Sequence, residues 1–216
     1  MSRRRLLTAS TVYGLLAVCA VLWSGLRGDW SLWETDTAWL PLGALPRAGV
    51  SLGAGALVAG LTVASTRLLV RRARWARTLH GDFRALLGPL SGLEIAAYAL
   101  LSGVAEELFF RGAMQPALGL VLTSLVFGAV HFGPVPRFWV WTVWAGAMGL
   151  VFGALVALTG DLYGAVLAHV VINYENLHFI DAYDPSASSR EELLGGRAAD
   201  ASAPPKLSGT RVRTGR

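Results

Sequence analysis

Three ionisable side chains interrupt a single apolar stretch, Val104-Ala105-Glu106-Glu107-Leu108-Phe109-Phe110-Arg111-Gly112. Each would cost roughly 2.5–3.5 kcal/mol at the centre of a bilayer on insertion scales, so their occurrence together asks for a chemical reason. A helical residue turns through ~100°. Glu107 and Arg111, four residues apart, therefore share a face and can pair. Glu106 is rotated away from Arg111 and is left as a carboxylate available for chemistry. Two histidines and an asparagine, His131, His169 and Asn173, stand in later apolar stretches. A carboxylate beside imidazoles is a set of groups that can move the protons of a water molecule.

Spacing brings these residues to one depth. Glu106 and His131 are 25 residues apart, and the midpoint falls at Leu118-Gly119. A helical hairpin turning there returns both side chains to one level, about 18 Å from the turn at ~1.5 Å per residue. A separate helix starting near Asp161 carries Asn173 to about the same depth, with His169 one turn earlier on the same face. The helix of His131 meets Gly133, Pro134 and Pro136 at once. Broken backbone at membrane depth is tolerated only against protein or a water-filled cavity. A wet pocket beside His131 follows, and water is what a hydrolase needs.

The elements that must position this layer are membrane helices. Of 216 residues, 54% are hydrophobic and only 15% are charged, against about 25% charged in soluble domains; mean hydropathy is +0.50. Six spans are predicted, at about Leu6–Leu26, Ala48–Thr66, Ala85–Leu118, Leu120–Gly133, Phe138–Leu158 and Leu162–Ile180. The fold class is an all-α polytopic bundle, with a transmembrane domain over 1–182 whose core lies at about 85–180. Arg3-Arg4-Arg5 before the first apolar run resembles the start of a signal peptide, but the run is long enough to span and is read as a helix. If the N-terminus is inside, all of the 19 basic residues except Arg27, Arg47 and Arg111 lie in inner segments. Both termini are then cytoplasmic by the positive-inside rule. The arginine-rich stretch Arg67 to Arg84 reads as an inner loop, and the tail 183–216, poor in large apolar residues, as disordered.

The net charge of +5 is a matter of topology and not of nucleic-acid binding, because no polar domain carries a basic face. The single cysteine, Cys19, excludes a disulfide framework. No internal repeat supports an inverted-repeat transporter. Gly149 and Gly153 form a small-xxx-small pair that lets helices approach in lipid. Trp30, Trp33 and Trp39 fit an interfacial belt. Phe127, one turn from His131, is read as core and His80 as solvated. Glu94 is read as snorkelling or pairing with a loop arginine, and Asn176 as a residue solvated at a helix end.

Three segments, Glu106-Glu107-x3-Arg111, Phe127-Gly128-Ala129-Val130-His131 and His169-Val170-Val171-Ile172-Asn173, stand in this order inside predicted spans. Together they resemble the signatures of the CAAX-protease and bacteriocin-processing family, the CPBP intramembrane proteases, over about Ser102 to Asn176. That resemblance implies an intramembrane endopeptidase. It implies that Glu106 and His131 activate water, that His169 and Asn173 stabilise the oxyanion, and that Glu107 with Arg111 is a supporting pair. Its partners would be the lipid bilayer and a membrane-anchored or lipid-modified protein or peptide substrate.

Glu106, His131 and His169 could also bind zinc or another divalent metal as a His2Glu set with water in the fourth position, although no His-Glu-x-x-His segment occurs. Metal-free and metal-dependent mechanisms are both open at this point. Two other classes stay in view. Intramembrane carboxylates and histidines also build proton relays, as in a proton-coupled transporter, and a family member can be a non-catalytic scaffold or immunity protein. Near-exclusive use of arginine over lysine, with Lys206 the only lysine, points to a GC-rich bacterial genome and to the cell membrane.

Overall fold

The computed structural model describes residues 2–35 and 38–186. Its elements are helices: α1 (Ser2–Leu26), α2 (Ala44–Arg72), α3 (Arg74–Leu87), α4 (Gly92–Glu107), a π-helical segment (Leu108–Met114), α5 (Gln115–Val130), a 3-10 turn (Pro136–Phe138), α6 (Trp139–Thr159) and α7 (Tyr163–Ala182). The all-helical reading holds among the described residues. Four helices are long and apolar enough to cross a membrane: Arg3–Leu26, Ala44–Arg72, Gly92–Val130 and Pro136–Thr159. Large apolar side chains such as Leu15, Leu57, Leu61, Leu125 and Val143 face outward, more than half exposed. In water such a surface would be untenable, and against lipid tails it costs nothing.

The stretch Gly92–Val130 is one helical run only in name. At Gly119 the backbone takes φ 78 and ψ 166, a region that only glycine occupies without strain. There the chain turns back on itself. The Phe110 and Phe127 rings meet edge to face at 4.9 Å across the hairpin, and Glu106 returns to the level of His131. The predicted turn at Leu118-Gly119 is thus where the structure places it.

The stretch from Arg67 to Arg84 is not a loop. Arg67 to Arg72 continue α2, and Arg74–Leu87 form the amphipathic α3. The reason is periodicity: Ala76, Leu79, His80, Phe83 and Leu87 recur at helical spacing and line one face. Arginines in the sequence between them obscured that stripe. The predicted span from Ala85 is likewise cut, since α3 ends at Leu87 and α4 begins at Gly92, capped by a reciprocal Ser91–Glu94 box. Glu94 spends its carboxylate on Ser91 N and Oγ at 2.9 and 2.8 Å, with Arg5 3.9 Å away.

One end of the bundle gathers the N-terminus of α1, α3, the N-terminus of α4 and the C-terminus of α7. Arg84 donates to the Ile180 and Asp181 carbonyls, and Leu90 N donates to the Asp181 carboxylate at 3.0 Å. At the other end, the loop after α1 folds over the α6–α7 junction, with Thr35 N donating to Gly160 O and Leu162 N to Trp33 O. An apolar core of Ala59, Val63, Phe152, Val156, Leu162, Ala168 and Ile172 ties α2, α6 and α7 together. Residues 187–216, on which the expectation of a disordered tail mostly rests, lie outside the described residues.

Candidate active site

Close helix approach builds the site. Gly103 on α4 stands so near α7 that a Cβ there would lie 3.0 Å from the Val170 backbone nitrogen. One turn further along α4, this contact sets Glu106 and Glu107 directly against His169. Glu107 is fully buried and bridges two partners. Its Oε1 accepts from Arg111 Nη1 at 3.0 Å and lies 2.7 Å from His169 Nδ1. The expected Glu107–Arg111 pair is present, and it carries a third member.

Arg111, 1% exposed, is tolerated in an apolar bundle for reasons beyond its ion pair. Its Nη2 donates to Gly149 O at 3.2 Å. Its guanidinium lies 4.3 Å from the Phe127 ring centroid, 5.5 Å from Phe152 and 5.9 Å from Phe110. A delocalised cation suits such aromatic faces better than a compact ammonium would. The glycine at 149 has a structural task, as expected: a Cβ there would stand 3.1 Å from Ser124 Cα, so α6 comes near enough for its carbonyl to be reached. Phe127 is core, as expected, and it also covers the cation.

Glu106 occupies the open side of this cluster. Its Oε2 lies 3.5 Å from His131 Nε2 and 3.9 Å from His169 Nε2. His131 Nδ1 is 2.6 Å from Phe127 O, a contact that only a protonated Nδ1 can make, so Nε2 is the nitrogen turned to Glu106. Asn173 Nδ2 donates to Ser102 Oγ at 2.9 Å, and Ser102 donates to Tyr98 O at 2.7 Å. The six residues singled out in the sequence are therefore gathered, with His169 in contact with Glu107 and Asn173 held one turn away on α7.

These groups open into a cavity of about 910 Å³ that Glu106, His131, Ser102 and Asn173 line. It runs to the end of the bundle where Arg4, Arg5 and Trp75 stand. α3 contributes one wall of it. His80 is not solvated: it is 5% exposed, with Nε2 2.9 Å from Tyr183 O and its ring against Phe179. Asn176 lines the cavity too, instead of ending in solvent.

Two participants escaped the sequence reading. Ser102 stands four residues before Glu106, a spacing that could have signalled it. Tyr13, on α1, lines the cavity beside Ser102 and within electrostatic reach of Glu106; nothing in its local sequence marks it.

The donor types of Glu106, His131 and His169 suit zinc, and the Nδ1 contacts of both rings are those that metal-bound histidines make. Among the described residues no three His, Cys, Asp or Glu side chains come together so as to hold a metal ion.

A multi-pass helical membrane protein with a buried carboxylate–histidine site at the foot of a deep cavity is the class that fold and site define. Residues 89–174 match the family described as Type II CAAX prenyl endopeptidase Rce1-like. Over that segment the chain is similar to the CAAX protease family. Among curated proteins, the uncharacterized protein YpbD of Bacillus subtilis (strain 168) is 32% identical over 101 residues, 43% of this chain and 52% of YpbD. The chain spans about half the length of that relative. No solved structure matches it.

Proposed function

We propose that the protein is an intramembrane endopeptidase of the bacterial cell membrane that cuts a membrane-anchored protein near its anchor, using water activated by Glu106 and His131. One observation carries this reading: Glu106 lines the cavity, and its Oε2, which has no hydrogen-bond partner, is faced by two imidazole nitrogens at 3.5 and 3.9 Å. Glu107, by contrast, has its Oε1 held by Arg111 and His169 and does not line the cavity.

A water seated against Glu106 Oε2 and His131 Nε2 gives a proton to the carboxylate as its oxygen attacks the scissile carbonyl. The C–O bond forms, and the carbonyl oxygen becomes an oxyanion. Asn173 donates one Nδ2 hydrogen to Ser102 and keeps the other for that oxyanion. His169 spends its Nδ1 hydrogen on Glu107 and presents its Nε2 to the side of the site where Glu106 stands. Protonated Glu106 then passes its proton to the amide nitrogen as the C–N bond breaks.

Comparative membrane proteomics of cells carrying wild type and Glu106→Gln tests this. Proteins that keep a terminal anchor only in the variant are the expected result. Identical proteomes, together with proton flux into liposomes that the same variant abolishes, would replace the endopeptidase with a transporter.

A further inference from the structure

The mechanism above leaves unused a buried amide oxygen of the cavity. Asn176 lies on α7 seven residues after His169 and three after Asn173, on their common face. It lines the cavity, and its Oδ1 is buried with no hydrogen-bond partner. Asn173, by contrast, is held by Ser102. An amide oxygen in an apolar bundle is costly to bury without a donor. A purely structural position on α7 would be served as well by leucine.

The ligand that supplies such a donor follows from what must happen to a substrate. A helical segment satisfies its own backbone, and a protease has to unwind it to reach a peptide bond. Inside the bundle, each N–H freed by unwinding needs an acceptor, from the protein or from water in the cavity. Asn176 stands about 4.5 Å along the helix axis from Asn173 and about 10.5 Å from His169, at ~1.5 Å per residue. Extended chain advances about 3.3 Å per residue, so the main-chain N–H that meets it lies two or three residues from the scissile bond. The aromatic side chains Phe83, Trp141 and Trp144 line the same cavity and suit apolar substrate side chains.

Resting on the endopeptidase reading, we propose that Asn176 is a substrate-binding residue whose Oδ1 accepts a main-chain N–H of an unwound, extended, apolar peptide segment. The segment lies on the side of the scissile bond that faces the Arg4–Arg5 end of the cavity.

Full-length protein in liposomes is assayed with a quenched-fluorescence peptide. The peptide spans a cut identified by the Glu106→Gln proteomic comparison. Analogues replace one backbone amide at a time by an ester, which removes the N–H, at the second and third residues on each side of the cut. One ester is expected to lower kcat/KM about fivefold to tenfold, one hydrogen bond's worth, chiefly through KM. Asn176→Leu is expected to lower cleavage of the all-amide peptide to a similar extent and to make that ester harmless. Asn176→Asp, which still accepts, keeps the ester's effect, and Asn176→Ala serves if the leucine variant fails to fold. Esters whose effects are the same in wild type, Leu and Ala variants overturn the proposal while leaving the protease intact. A wild type that cuts none of the peptides, or a Glu106→Gln variant that cuts them equally, overturns both.

Discussion

Two adjacent glutamates in one helix have opposite chemical situations. Glu107 Oε1 is held by both Arg111 and His169, whereas Glu106 Oε2 meets only imidazole nitrogens, at 3.5 and 3.9 Å, on the wall of the cavity. Substitution should separate them by what it damages. Glu106→Gln keeps the fold and is expected to lower kcat on the order of 10²–10⁴-fold, the usual scale for loss of a general base, with an unchanged unfolding midpoint in detergent. Glu107→Gln strands Arg111 in an apolar site, and breaking a buried pair costs about 3–5 kcal/mol. Its unfolding midpoint should fall sharply. The double variant Glu107→Gln, Arg111→Met should recover part of that loss, since no unpaired charge is left. If Glu107→Gln were as stable as wild type, the aromatic faces around Arg111 would be sufficient by themselves. With water activated by Glu106 and His131 alone, chelation by phenanthroline is expected to leave the cleavage rate unchanged; a rate that falls and is restored by zinc would overturn that.

Helices are positioned here by glycine as much as by apolar side chains. Gly119 closes the hairpin with a backbone geometry that a Cβ makes strained. Gly119→Ala is expected to lose about 1–3 kcal/mol and to widen the Glu106–His131 separation, so that activity falls more than stability does. Gly103→Leu is expected to push α4 from α7 and to break the His169–Glu107 contact, which cysteine cross-linking between the two helices would register as lost. The π-helical segment beginning directly after Glu107 belongs to the same account. Such segments put an extra residue into a turn and recur at functional sites, and here the segment carries Arg111 into its aromatic surroundings.

At the scale of the whole molecule, the cavity opens at the end that holds Arg4, Arg5 and α3, the end that the distribution of arginine would make cytoplasmic. Cysteine labelling in intact cells, on a Cys19→Ser background, checks the orientation. Trp39→Cys is expected to react with an impermeant maleimide, and Ser186→Cys only after the membrane is opened. The reverse pattern would place the cavity mouth outside and move the substrate's anchor to the opposite face.

Much of this was open to reading in one dimension. The rise and turn of a helix are constants, so the hairpin at Leu118-Gly119, the common depth of Glu106, His131 and Asn173, and the Glu107–Arg111 register all follow from counting residues. The stripe of α3 follows from counting too, but arginines at intervening positions hid it, and the burial of His80 was lost with it. Counting cannot supply the rotation and separation of one helix against another, which are decided by which small residues meet. Only the tertiary structure therefore joined Glu107 to His169, stacked Phe110, Phe127 and Phe152 around Arg111, and brought Tyr13 from a helix more than 90 residues upstream of Glu106 to the edge of the site. It also turned Asn176 from a helix end into the lining of a cavity.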